Sequence, residues 1–82
     1  MVNVVFDPTF QKQIAKLGDA LLLERVKKQI RRIVRDPEIG KPMMHSRKGT
    51  RDVRVPPFRL SYAYVPSENL IEFLEIYHKD EQ

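Results

Sequence analysis

Two arginines in a short β-rich segment are the residues of this sequence best suited to binding an anion. The stretch RDVRVPPFRLSYAY, residues 51–64, alternates polar and apolar residues on both sides of a Pro-Pro corner. This alternation predicts two antiparallel strands, and symmetric pairing about the corner sets Arg54 directly opposite Arg59. Like charges at such positions, about 5 Å apart at Cβ, repel each other. A phosphate between the two groups would relieve the repulsion, because guanidinium binds phosphate with two parallel hydrogen bonds.

A purely structural explanation of the arginines competes with phosphate binding. In that explanation each arginine pairs with a carboxylate of the last strand, for which Glu72 and Glu75 are in range. Asp52 lies opposite Ser61 in the same register and offsets part of the repulsion. Because Pro-Pro is not a favoured two-residue turn, the sequence predicts a longer loop and allows a slip of the register. A slip by two residues would leave the arginines as diagonal neighbours on one face.

The positive charge of the chain is concentrated in its middle. Residues 25–59 hold twelve Lys and Arg residues against three Asp and Glu, a net charge of +9, and the rest of the chain carries −5 within an overall +4. A chain polarised in this way favours a polyanionic partner. For residues 25–35 alone, a solvated basic helix face is an equally good explanation. The residues predicted to contact nucleic acid are Lys41, Arg47, Lys48 and Arg51, with Tyr77 as a surface for base stacking.

Length and composition exclude several classes of protein. The 82 residues fit one domain, residues 1–82, and the apolar runs are too short to cross a membrane. The first residues lack the pattern of a signal peptide, which predicts a cytoplasmic protein. The absence of cysteine excludes disulfides and thiolate zinc sites. His45 and His78 lie 33 residues apart with no third ligand at metal spacing, so no metal and no small-molecule cofactor is predicted.

The elements that must position the arginines follow from caps and periodicity. Alternation over residues 2–6 predicts a first strand. Asp7-Pro8 and Asp19 predict the starts of two helices, with Gly18 ending the first and Asp36-Pro37 the second. Short strands follow at residues 43–46, on either side of the prolines, and at residues 70–77. The predicted fold class is α+β: an N-terminal strand and a helical hairpin packed on a mostly antiparallel four- to five-stranded sheet, in the order β-α-α-β-β-β-β.

The same alternation assigns the two faces of the sheet. Val53, Val55, Leu60 and Tyr62 are predicted to face the helices. The two guanidinium groups then lie together on the uncovered face. Tyr62 and Tyr64 are predicted to belong to the core rather than to a base-stacking surface.

The pattern of residues 51–64, in which basic and hydrophobic residues precede a short loop and aromatic-Arg-hydrophobic-x-Tyr follows it, resembles the core of the RelE/ParE toxin superfamily. The resemblance extends to the helical hairpin, to residues 70–77 as the last strand, and to His78-Lys79 beyond it. It implies a toxin of a toxin–antitoxin pair. RelE-type members cleave messenger RNA in the ribosomal A site, whereas ParE-type members inhibit DNA gyrase.

The resemblance also implies roles for individual residues. Arg59 matches the arginine that holds the scissile phosphate in RelE-type enzymes, and Arg54 matches a basic residue of the preceding strand. Because guanidinium is a poor base, Arg54 is expected to stabilise charge. His78 and Lys79 match catalytic positions at the end of the last strand. Asp52 stands where some relatives have a basic residue, and the terminal tyrosine of many RelE-type members has no counterpart here.

Three functions remain open on the sequence alone. The first is a metal-independent endoribonuclease that acts on ribosome-bound mRNA, leaves a 2′,3′-cyclic phosphate and inhibits translation. The second is a ParE-like gyrase inhibitor, and the third is a nucleic-acid-binding domain without catalysis. For either toxin, the resemblance implies a cognate antitoxin. We expect it to be acidic and to cover apolar helix positions such as Leu21, Leu23 and Ile33.

Overall fold

The computed structural model of this chain describes residues 1–43 and 49–78. Its elements follow the predicted order. They are β1 (Asn3–Phe6), α1 (Pro8–Ala15), α2 (Ala20–Arg35), β2 (Lys41–Pro42), β3 (Thr50–Val55), β4 (Phe58–Val65) and β5 (Leu70–His78). Neither helix in this part of the chain has the length and apolar character of a membrane span.

The strands form one five-stranded sheet in the order β1-β5-β4-β3-β2. Neighbouring strands are antiparallel except for β1, which pairs with β5 in parallel. Because the chain leaves β1 through two helices and returns to it last, β1 and β5 can run in the same direction at one edge of the sheet. The predicted α+β class and the mostly antiparallel sheet are therefore confirmed.

Aspartate caps start both helices at the predicted positions. The Asp7 side chain accepts a hydrogen bond from the Thr9 amide at 2.8 Å, and Asp19 accepts from the amides of Leu21 and Leu22 at 3.0 and 3.1 Å. These bonds satisfy amides that have no partner within the helix. The first helix ends at Ala15, short of the predicted stop at Gly18.

The core lies between the helices and one face of the sheet. On α2 the buried residues are Leu22, Val26 and Ile33, one stripe of a 3.6-residue period. Ile33 is completely buried, so the prediction that it is open to a partner is wrong. Leu21, outside this stripe, is 67% exposed. The described core consists of Phe10, Leu22, Val26, Ile33, Val55, Leu60, Tyr62, Ile71, Phe73 and Ile76.

The β3–β4 hairpin has the symmetric register that the sequence predicts. Val53 pairs with Leu60, Arg54 with Arg59, and Val55 with Phe58. The intervening Pro56 and Pro57, joined by a cis peptide bond, form a two-residue turn, so the expected longer loop is wrong and the register does not slip.

Only the first residue of the strand predicted at residues 43–46 lies within the described residues. The structure has β2 at Lys41–Pro42, where these residues pair with Asp52 and Arg51. Met43 only donates its amide to the Thr50 carbonyl, at 3.1 Å. Residues 44–46 lie outside the described residues.

Tyr62 is a core residue, as predicted, and it anchors the connection between α2 and β2. Its buried hydroxyl donates to the Pro37 carbonyl at 2.7 Å and accepts from the Gly40 amide at 2.9 Å. Burial raises the pKa of this phenol above its usual value. A Cβ at Gly40 would lie 2.6 Å from the Tyr62 hydroxyl oxygen, so only glycine fits there without a shift. This contact fixes the backbone that leads into Lys41.

Replacing Tyr62 by phenylalanine should destabilise the fold by about 1–3 kcal/mol, because the buried Gly40 amide and the Pro37 carbonyl lose their partner. The free energy of unfolding in urea measures the effect. Tyr64→Phe is the matched control, since Tyr64 is only half-buried. Equal losses in the two variants would contradict the anchoring role of the Tyr62 hydroxyl.

Candidate anion-binding site

The hairpin register holds Arg54 and Arg59 side by side. The two residues are direct cross-strand partners in β3 and β4. Their neighbours Val55 and Leu60 are buried beneath the helices, and strand alternation therefore directs both arginines to the uncovered face. Arg54 is exposed, whereas the Arg59 side chain is 22% exposed. The predicted arginine pair is thus present on the predicted face.

Asp52 is a carboxylate that contacts one member of the pair, Arg59. The Arg59 Nη1 atom lies 3.5 Å from each of the Asp52 carboxylate oxygens. Tyr77, which pairs with Arg59 across β4 and β5, donates its hydroxyl to Asp52 Oδ2 at 2.8 Å. Asp52 itself is only 9% exposed. The structure therefore brings Tyr77 to the site, where its hydroxyl is held by Asp52.

The contact with Asp52 leaves much of the binding capacity of the arginines unused. A distance of 3.5 Å is long for a charge-assisted hydrogen bond, for which 2.7–2.9 Å is usual. The Nε atom of Arg59 is buried and makes no hydrogen bond to any described residue. Within the same part of the chain, Arg54 has no hydrogen-bond or ion-pair partner. Both guanidinium groups can therefore still bind an oxyanion.

Two described basic residues that the sequence predicts to contact nucleic acid, Lys41 and Arg51, lie on different sides of the sheet. Lys41 pairs with Asp52 across β2 and β3, so the exposed Lys41 side chain belongs to the face of the arginine pair. Arg51 pairs with Tyr62 and belongs to the helix side. Its guanidinium donates to the carbonyls of Glu38 and Gly40 at 3.1 and 2.7 Å. We therefore leave Arg51 out of the candidate site.

The structure does not bring His78 to the arginine pair. His78 pairs with Phe58, and the two rings meet edge to face with centroids 5.7 Å apart. A bulge in β5 is the physical reason. Ile71 and Phe73 face the helices, but the shift between Ser61 and Tyr62 moves Ile76 and His78 onto that side. Beyond the bulge, Tyr77 shares the face of Arg59 instead.

The remaining predicted residues lie outside the part of the chain that the structure describes. They are Arg47, Lys48 and Lys79, together with His45. Among the described residues, no three His, Asp or Glu side chains form a group that could hold a metal ion.

The structure adds two α2 residues that the sequence did not predict. One cleft of about 520 Å³ contains the arginine pair and reaches the second helix. It is lined by Gln29, Arg32, Ile39, Lys41, Asp52, Val53, Arg54 and Arg59. Local spacing carries no signal for Gln29 or Arg32, because their place depends on how α2 packs along β3.

Comparison with known proteins confirms the resemblance found in residues 51–64. A family model for the ParE toxin of type II toxin–antitoxin systems, parDE, matches residues 4–82. A comparison with curated proteins found no match.

Solved toxin structures share the fold at low sequence identity. The toxin chain of the intact E. coli RelBE toxin–antitoxin complex aligns with a TM-score of 0.81 at 18% identity, over 95% of this chain and 96% of that one. The YoeB/ParE toxin from Agrobacterium tumefaciens gives 0.81 at 19%, over 94% and 98%. The RelBE2 toxin–antitoxin complex from Mycobacterium tuberculosis gives 0.76 at 25%, over 95% and 98%.

Arg54→Gln should raise the free energy of unfolding by about 0.5 kcal/mol, because it removes a like charge directly opposite Arg59. Urea denaturation at low ionic strength measures the gain, and added salt should reduce it by screening. Arg54→Lys is the matched control, since it keeps the charge. A gain of the same size in the lysine variant would show that repulsion is not the cause.

Asp52→Asn should bind inorganic phosphate about fivefold more tightly, because it removes a competing carboxylate from Arg59 at a contact worth about 1 kcal/mol. Isothermal titration calorimetry measures the affinity. Glu75→Gln removes an exposed carboxylate that contacts neither arginine, and it serves as the control. An equal gain in phosphate affinity in both variants would show that Asp52 does not compete specifically for Arg59.

Proposed function

We propose that this chain, which belongs to the ParE toxin family of type II toxin–antitoxin systems, is a toxin that cleaves messenger RNA on the ribosome. The observation that carries the proposal is the arginine pair, held side by side on the uncovered face with unused capacity for an oxyanion. In the RelE-type enzymes that residues 51–64 resemble, the arginine at the position of Arg59 holds the scissile phosphate. Ribosome and mRNA are thus the proposed targets.

The reaction that suits this site uses a nucleophile of the RNA itself. The 2′-oxygen attacks the adjacent phosphorus, the bond from phosphorus to the 5′-oxygen breaks, and the products are a 2′,3′-cyclic phosphate and a 5′-hydroxyl. The 2′-hydroxyl loses a proton and the leaving oxygen gains one. The protein has to align the phosphate and stabilise its added negative charge. In our proposal Arg54 and Arg59 perform both tasks.

Asp52 and Tyr77 are the groups that we propose for proton transfer, since His78 lies on the other side of the sheet. When a phosphate replaces Asp52 as the partner of Arg59, the Asp52 carboxylate can accept the proton of the 2′-hydroxyl. The Tyr77 hydroxyl, 2.8 Å from Asp52, then gives a proton to the leaving oxygen and regains one from Asp52. In this proposal Asp52 both competes with the phosphate and acts as the base. Lys48 and Lys79 remain candidates from the sequence.

We further propose a cognate acidic antitoxin as the partner. The E. coli and M. tuberculosis relatives are complexes of a toxin with an antitoxin. On this chain, Leu21 exposes an apolar side chain on α2, whereas Leu23 is half-buried and lies about 200° away around the helix. An acidic amphipathic segment would cover Leu21 and place its carboxylates near the basic residues of the same helix.

Two observations favour a second function, inhibition of DNA gyrase as in ParE-type toxins. In the described structure Arg59 already contacts a carboxylate, and His78, which matches a catalytic position of RelE-type members, lies on the other side of the sheet. A toxin that only binds its target needs no acid and no base. The two functions therefore differ in whether the arginine face performs chemistry or recognition alone.

Programmed ribosomes with mRNA should show codon-spaced cuts when the purified chain is added, mapped by primer extension. Arg59→Ala should lower the cleavage rate about a hundredfold or more, because it removes a charge-stabilising donor. Lys12→Ala, which removes an exposed cation from α1, should leave the rate unchanged. Absence of cuts with folded protein would contradict ribonuclease activity, and inhibition of gyrase supercoiling in the same preparation would establish the second function.

A further inference from the structure

We infer that the cleft beside the arginine pair holds a second phosphate subsite, formed by Arg32 and Lys41, and that its ligand is a single-stranded RNA whose backbone spans both positions. The inference rests on the proposed function. It concerns the path of the RNA away from the reacting phosphate, along the edge of β3 that no described strand covers, toward α2.

The first support is the continuity of the cleft. Gln29 and Arg32 of α2 line the same cavity as Lys41 and the arginine pair. This is possible because β2 is only two residues long and pairs with Arg51 and Asp52 alone. From Val53 onward no described strand covers the edge of β3. Side chains of the helix and of the open sheet face therefore border one space.

The second support is the charge balance of that space. Arg32, Lys41, Arg54 and Arg59 stand against the single carboxylate of Asp52, a net charge of +3. Asp52 is engaged by Arg59 and by the Tyr77 hydroxyl. One phosphate at the arginine pair would leave Arg32 and Lys41 without a counter-charge. A ligand with at least two phosphates neutralises the cleft more completely.

The third support is that the described partner of the Arg32 guanidinium is neutral. Its Nη1 atom donates to the Gln29 side-chain oxygen at 3.1 Å, which orients the guanidinium with a neutral partner. No carboxylate pairs with Arg32 within residues 1–43 and 49–78. Arg32 is exposed, so its remaining donors are accessible to an anion.

Apolar side chains in the cleft favour a single strand over a duplex. Ile39 is 36% exposed and half-buried Val53 lies in the same lining. An unpaired base or sugar can pack on such a surface, whereas a duplex keeps its bases stacked inside and presents phosphates alone. The combination of spaced cations and a small apolar area is therefore typical of single-strand binding.

A salt titration with a short RNA tests the subsite. The probe is a fluorescein-labelled 2′-O-methyl hexanucleotide, which cannot undergo 2′-hydroxyl attack, and fluorescence anisotropy measures its affinity for the full chain from low to high NaCl. Arg32→Gln should weaken binding severalfold and reduce the slope of log K against log salt by about 0.7, the loss of one phosphate contact. Lys41→Gln should do the same.

Arg31→Gln is the matched control, because Arg31 is the exposed neighbour on the same helix and does not line the cleft. It should change the slope by much less than Arg32→Gln. Equal effects of the two variants, or none, would overturn the subsite. Arg54→Gln separates this inference from the proposed function. If Arg54→Gln weakens binding and Arg32→Gln has no larger effect than Arg31→Gln, the second subsite is contradicted while the proposed function stands. Binding insensitive to Arg54→Gln would contradict the proposed function and the shared path together.

Discussion

Burial of Val55 and Leu60 is the constraint that holds Arg54 and Arg59 together despite their mutual repulsion. A slip of the hairpin by one residue would relieve it, but the same slip would turn Val55 and Leu60 out of the core. Burial of such side chains contributes about 1.5–3 kcal/mol each, whereas a like-charge pair across a strand costs at most about 1 kcal/mol. The apolar face therefore wins and holds the arginines together on the other side.

Asp52 moderates this repulsion without removing it. A carboxylate in close bidentate contact with Arg59 would satisfy the guanidinium and block the face, whereas the contacts of 3.5 Å leave it exchangeable. The Tyr77 hydroxyl holds the carboxylate on the side of the arginine, at 2.8 Å. For the anion site that we propose, the side chains are thus organised before binding, and the anion would replace only a weak internal partner.

Local rules predicted the fold and the arginine pair from the sequence because each depends on neighbouring residues. Asp7 and Asp19 cap helices through amides two or three residues away, and the alternation around the prolines fixes the hairpin register. The side of the sheet on which His78 lies could not be predicted, because one bulge in β5 reverses the alternation. Tyr77 faces the arginines instead. The position of Arg32 in the cleft could not be predicted either, because it depends on packing between elements that are distant in the sequence.

A shared fold does not fix the residues on the uncovered face of its sheet. The fold persists at 18% identity with a TM-score of 0.81, so the helices and sheet tolerate extensive substitution. In our proposal, the cations on the uncovered face of this chain supply the affinity for a polyanion. Whether cleavage follows then depends on the groups beside Arg59 that we propose for proton transfer. In this chain the residues placed there are Asp52 and Tyr77, on neighbouring strands that the same hairpin and bulge bring together.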